Sequence, residues 1–255
     1  MPPSKQPAAR EWVPTSFFLA ASEDYATEIA FSPRQFMRDT ALRYTAEICI
    51  YDPSTGRPAL RRRSEPMALE DCFRISSEEL RPSLPTQAEF LYGEAFNVAD
   101  APPKDVNVAM PSNLHYHSKS GRLQGDVGSN YIYGSPRKAL KGELYYDHFP
   151  LGASGEGMAL KVFLMNPYVR PSSYRLMLTS RRCRNVVVGE GTLPGKSVGH
   201  VDADLPDTPE ESDGLAVVVG SELKLNALYG LTVKSNGVMC GLDHGHPFLM
   251  QRLSH

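Results

Sequence analysis

The sequence predicts an all-β chain built as two tandem β-sandwich, jelly-roll-like modules related by internal duplication. Three observations carry this. The 255 residues include 21 prolines and 20 glycines, which interrupt the chain every few positions. No stretch keeps a helical apolar period for three turns, whereas short β-branched and aromatic runs recur between the breaks. These runs follow one another in a similar order in the two halves.

Taken in order, the strand-like runs of the first half are Thr27–Phe31, Tyr44–Tyr51, Cys72–Ser76, Val106–Met110, Asn113–His117 and Tyr131–Tyr133. Tyr44–Tyr51 alternates, and its one charge, Glu47, predicts a half-buried strand. Arg57–Asp71 reads as a long charged connection. Its run Arg61–Arg63 is followed by Glu65, Glu70 and Asp71, as on a solvated strand or loop rather than a phosphate-binding patch. In the second half the runs are Leu160–Met165, Tyr174–Thr179, Asn185–Val188, Leu215–Val219, Leu228–Val233 and Phe248–Met250. Ala216–Val219 is apolar throughout and predicts a central strand.

Five blocks match between the halves: Ile29–Pro33 with Phe163–Pro167, Tyr44–Ile50 with Tyr174–Ser180, Cys72–Leu80 with Arg184–Leu193, Val108–His117 with Val217–Asn226, and Ser120–Gly128 with Asn236–Gly245. They share Pro, Ser, Gly and Asp markers. The division they imply is a tail over 1–15, a first sandwich over 16–135 and a second over 136–255, with a polar seam near Ser135–Glu143.

Bulk properties exclude some functions. Lys+Arg 27 against Asp+Glu 29 leaves a net charge of −2, without the basic field of a duplex-DNA binder, so no nucleic-acid partner is expected. No window approaches the roughly 18–20 apolar residues of a membrane helix, and Met1–Trp12 has no signal-peptide core. The expectation is a cytoplasmic protein without membrane insertion. The four cysteines, Cys49, Cys72, Cys183 and Cys240, form no CxxC pair, which excludes a zinc knuckle by spacing.

The stretch Ala159–Pro194 resembles the sensory rhodopsin transducer family: a strand ending in an Asn turn, a Tyr-Arg-Leu strand, then a basic turn into a Val-rich strand. Ala216–Gly230 is similar to the strand pair that follows in those proteins. The resemblance spans roughly Met158–Gly245 and carries no catalytic signature. It implies a compact β-sandwich that assembles, possible homo-oligomers included, and binds a protein partner or a small-molecule ligand.

Histidines supply the candidate chemistry. His244 and His246, preceded by Asp243, form one HxH turn, and Asp147-His148 adds a further Asp-His pair. Asp243, His244 and His246 are the first candidate metal ligands. His115 and His117 are the second; on a strand both occupy one face about 7 Å apart, and Asp126 would complete the set. Two imidazoles and a carboxylate suit a divalent metal such as Zn, Fe or Mn. Without a metal, His244, His246, Asp147 and His148 are acid–base candidates. A cupin site is excluded, because no Glu follows His117 at the required spacing. No GxSxG, P-loop or HExxH occurs. Tyr131, Tyr133, Tyr145, Tyr146 and Phe149 form an aromatic group near the seam that could stack on a ligand. The sequence thus reads as a non-enzymatic ligand- or partner-binding protein. The alternative is a metal-dependent or His acid–base enzyme with its site near the Asp243–His246 turn.

Overall fold

In the computed structural model the described residues are 15–20, 25–32, 43–84, 89–99, 112–118, 124–129, 143–152, 157–181, 185–205, 214–236, 238–244 and 246–252. They form an all-β protein with one short helix. In chain order the strands are β1 (Thr15–Ala20), β2 (Tyr25–Phe31), β3 (Tyr44–Tyr51), β4 (Pro58–Arg63), β5 (Phe73–Ser76), β6 (Phe90–Ala99), β7 (Ser112–Ser118) and β8 (Gln124–Ser129). There follow β9 (Glu143–Gly152), β10 (Met158–Asn166), β11 (Ser172–Thr179), β12 (Val186–Leu193), β13 (Ser197–Asp204), β14 (Leu215–Ser221), β15 (Asn226–Val233), β16 (Val238–His244) and β17 (His246–Arg252). The helix α1 spans Ser77–Leu80, where Ser76 accepts a hydrogen bond from the Glu79 amide and stops the strand before it.

Four antiparallel sheets result. Sheet A has the order β1-β6-β3-β4 and sheet B the order β5-β2-β7-β8. Sheet C runs β12-β11-β14-β9-β17 and sheet D runs β13-β10-β15-β16. Adding eight to each strand number of sheet A gives β9-β14-β11-β12, which is sheet C without β17; the same step turns sheet B into sheet D. Each half of the chain therefore has the same strand order. By that order β4, not β5, stands where β12 stands, and β7 corresponds to β15, so two of the five sequence blocks above are one strand out of step. Arg61–Arg63 conceal the likeness of β4 to the Val-rich β12.

The sheets stack in pairs. Leu160, Val162 and Leu164 of β10 meet Leu176, Val217 and Val219 of sheet C in one core. Phe17, Ile48 and Ile50 of sheet A meet Ile29 and Phe31 of sheet B in the other. Gly93 makes room there, since a Cβ on it would lie 2.3 Å from the Phe17 ring. This second core continues through sheet A: Phe18 stacks on Phe163 of sheet D at 4.6 Å, and Phe90 meets the same ring edge-on at 5.1 Å. Sheet A thus lies between sheets B and D, with both faces covered except along its end strand β4, which is largely exposed. That explains β1, buried at all six positions, and β3, buried at every position but Glu47. The half-buried strand expected over Tyr44–Tyr51 is instead nearly all buried, because its second face meets the other half of the chain. Ala216–Val219 lies in β14, the central strand of sheet C.

Candidate functional site

The most elaborate polar arrangement among the described side chains is one the sequence reading does not single out. It sits where sheet A meets sheet D. Glu94 is the lone charge on β6, and its side chain is 1% exposed. Pairing sets Glu94 opposite Cys49 of β3 and Ser16 of β1, so Tyr51, Tyr92 and Ser16 share its face. The Tyr51 hydroxyl donates to Glu94 Oε2 at 2.5 Å, and the Tyr92 hydroxyl to Oε1 at 2.9 Å. Ser16 Oγ lies 2.9 Å from the Tyr92 hydroxyl. Lys196 of the other half donates to Glu94 Oε1 at 2.5 Å, and its ammonium also sits 5.2 Å from the centre of the Tyr51 ring.

Lys196 is delivered by the β12–β13 turn, and the turn is held in one shape. Gly195 must be glycine, since a Cβ would lie 2.3 Å from the Val169 carbonyl oxygen. Lys196 itself has φ +53, a left-handed backbone that costs a non-glycine residue on the order of 1 kcal/mol. Fully buried Asn166 pins the turn: its amide donates to the carbonyls of Arg170, Leu193 and Pro194 at 2.8, 3.2 and 3.0 Å. Burial and the Glu94 charge push the Tyr51 and Tyr92 hydroxyls well above the usual tyrosine range, so both remain donors. Burial also raises the Cys49 thiol. The carboxylate has both oxygens occupied from within the protein. This geometry suits a fixed joint between the halves, with a charge balanced at close range. Glu94 carries a sequence signal, a single acid inside an apolar strand; Lys196 is hidden in a Pro-Gly turn.

The sequence-based candidates lie elsewhere. Tyr131 and Tyr133 lie outside the described residues. For His115, His117, Asp126, Tyr145, Tyr146, Asp147, His148, Asp243, His244 and His246 the side chains lie outside the described residues, while strand position is defined. Asp147-His148 is within β9, not in a turn. His246 pairs with His148 across β17 and β9, and Asp147 pairs with Pro247. His244 ends β16 opposite Leu228, and Asp243 is opposite Tyr229. The Asp243–His246 stretch therefore bridges two sheets, β16 in sheet D and β17 in sheet C. Neighbouring residues of a strand take opposite faces, so Asp243 and His244 are parted within sheet D. The second candidate set falls in one sheet: His115 pairs with Asp126 on β8 and with Glu28 on β2. Phe149 is half buried and stacks on Tyr229 at 4.7 Å with rings 8° apart, in the core between sheets C and D. Among described side chains, no three of His, Cys, Asp and Glu converge as a metal set. No described helix is long and apolar enough to cross a membrane.

No protein-family model matches the chain, and no curated protein matches it. Among solved structures the chain is similar to a β-glucuronidase from glycoside hydrolase family 2, at 10% identity and a TM-score of 0.20, over 92% of this chain and 23% of that one. The chain spans under a quarter of that enzyme, and so distant a likeness carries no argument about activity.

Proposed function

We propose that the chain is a non-enzymatic partner-binding protein that takes up an extended segment of another polypeptide along the outer edge of β12. The matched strand orders are read as the trace of an internal duplication, and the resemblance of Met158–Gly245 to the sensory rhodopsin transducer family supports a binding role. The observation that carries the reading is the character of β12. It is the end strand of sheet C, and its Val186 and Val187 are 49% and 46% exposed. The only other large apolar side chain so exposed among the described residues is Val169, beside Gly195 near the far end of the same strand. An end strand offers a row of backbone donors and acceptors that an extended peptide satisfies. The one charge of β12, Glu190, pairs with Arg175 at 3.4 Å. In the sequence Arg182 and Arg184 stand just before β12, which favours a partner segment with alternate apolar residues and an acidic end.

The test is panning a displayed library of short peptides against the wild type, with Val186→Lys/Val187→Lys as counter-selection. Enriched apolar peptides with acidic ends should slow amide exchange across Val186–Leu193. Peptides that ignore the double substitution, or that protect another strand, would overturn the assignment.

A second reading is metal-dependent or His acid–base chemistry near Asp243–His246, and the pairing of His148 with His246 favours it. Asp147 falls on the other face of β9, so no acid from these motifs joins the two histidines on their face. Activity of the chain toward any substrate that His246→Gln removes, with the melting temperature unchanged, would support this reading over the first.

A further inference from the structure

We propose that the outward face of sheet B binds a divalent transition-metal ion at the juxtaposition of His115, His117 and Asp126. This goes beyond the partner-binding reading and does not depend on it. β7 lies between β2 and β8, and the register places His115 opposite Glu28 on one side and Asp126 on the other. Residues directly opposite in antiparallel strands have Cβ atoms about 4.5–5.5 Å apart, and His117 follows two residues along on the same face, about 7 Å away. Three strands thus gather two imidazole-bearing and two carboxylate-bearing positions into one patch of one face.

At Glu28 this face is turned away from the core, whereas Ala26, opposite His117 on the same face, is buried. Ile29, on the alternate side of β2, is fully buried in the core, whereas the Glu28 side chain is 39% exposed. Glu28 is already paired with Arg74 at 2.9 Å. We therefore assign Asp126 as the acid of the set, with Glu28 as a neighbouring charge. Two imidazoles and one carboxylate on a rigid sheet match borderline metals such as Zn, Mn, Fe or Co, and not the all-oxygen preference of Ca or Mg.

Sheet C offers the instructive contrast. There His148 and His246 are also opposite each other. The adjacent Asp147 pairs with Val219, which is buried in the core, so it sits on the inner face. The sheet C pair lacks the carboxylate that the sheet B row has.

The experiment uses full-length protein without an affinity tag, stripped with chelator and checked for folding by circular dichroism. It is titrated calorimetrically with Zn²⁺, and with Co²⁺ to read the ligand-field absorption. The expected result is one ion per chain, lost in His115→Gln/His117→Gln, weakened at least about tenfold in Asp126→Asn, and unchanged in His148→Gln/His246→Gln. Absence of stoichiometric binding, or binding that survives the His115/His117 substitutions, overturns the proposal. Loss only in the His148/His246 variant also overturns it and moves the site to sheet C.

Discussion

Sheets B and D have corresponding strand orders, yet their outward faces meet opposite fates. On sheet D the face turned from its own sandwich carries Phe163, Met165 and Leu228, and it is buried against sheet A. On sheet B the corresponding face carries Glu28, His115 and Asp126, and Glu28 with its partner Arg74 remains exposed. A sheet's strand order does not decide what its outer face does. The side chains on the alternate positions do. An apolar row makes an interface, because removing it from water contributes about 25 cal/mol for each Å² buried. A polar row resists that burial and stays available for ligands.

The comparison is broken most severely at Phe163. Phe163→Ala should cost about 3–5 kcal/mol in urea unfolding, since its ring meets Phe18 and Phe90 from the other half. Lys196→Met should come close behind, at about 3 kcal/mol, because it leaves the Glu94 carboxylate buried without its cation. Tyr51→Phe removes one charged hydrogen bond and should cost roughly 1.5–3 kcal/mol.

The same tyrosines predict a pH response. Their folded values are raised, so the stability they contribute is full below about pH 10, where unfolded tyrosine titrates, and is lost as pH rises from there. The wild type should weaken above about pH 10, and Tyr51→Phe should show a shallower alkaline decline. The smallest effect belongs to sheet B: Glu28→Gln should leave the melting temperature unchanged, because its pair with Arg74 is solvated. A large loss there would mean that the sheet B face, too, is structural.

Much of the fold is legible in the sequence, and the reasons for the rest are physical. β3 and β14 announce themselves as apolar runs, and Tyr44–Tyr51 is found with its bounds intact. β4 reads as a connection because three arginines mask an end strand, whose Arg63 pairs with Glu47. β9, β13 and β16 are diluted by Gly, Asp and His, so period-two patterning is weak in them. The burial of all of β1, and of β3 at every position but Glu47, cannot be inferred from one strand's pattern, since it depends on contact with residues such as Phe163, far along the chain. For the same reason the Glu94–Lys196 pair is invisible locally: its members are separated by 102 positions. The histidines are plain in the sequence. Which of them share a face depends on register, which places His246 beside His148 and His115 beside Asp126.

Through Glu94, Lys196 and Phe163, sheets A and D should join the two halves into one cooperative body. Differential scanning calorimetry of the wild type and of Glu94→Ala tests it most directly. One transition is expected for the wild type, and for Glu94→Ala a large fall in melting temperature with the transition splitting in two. Two independent transitions already in the wild type, or an unchanged transition in Glu94→Ala, would contradict it.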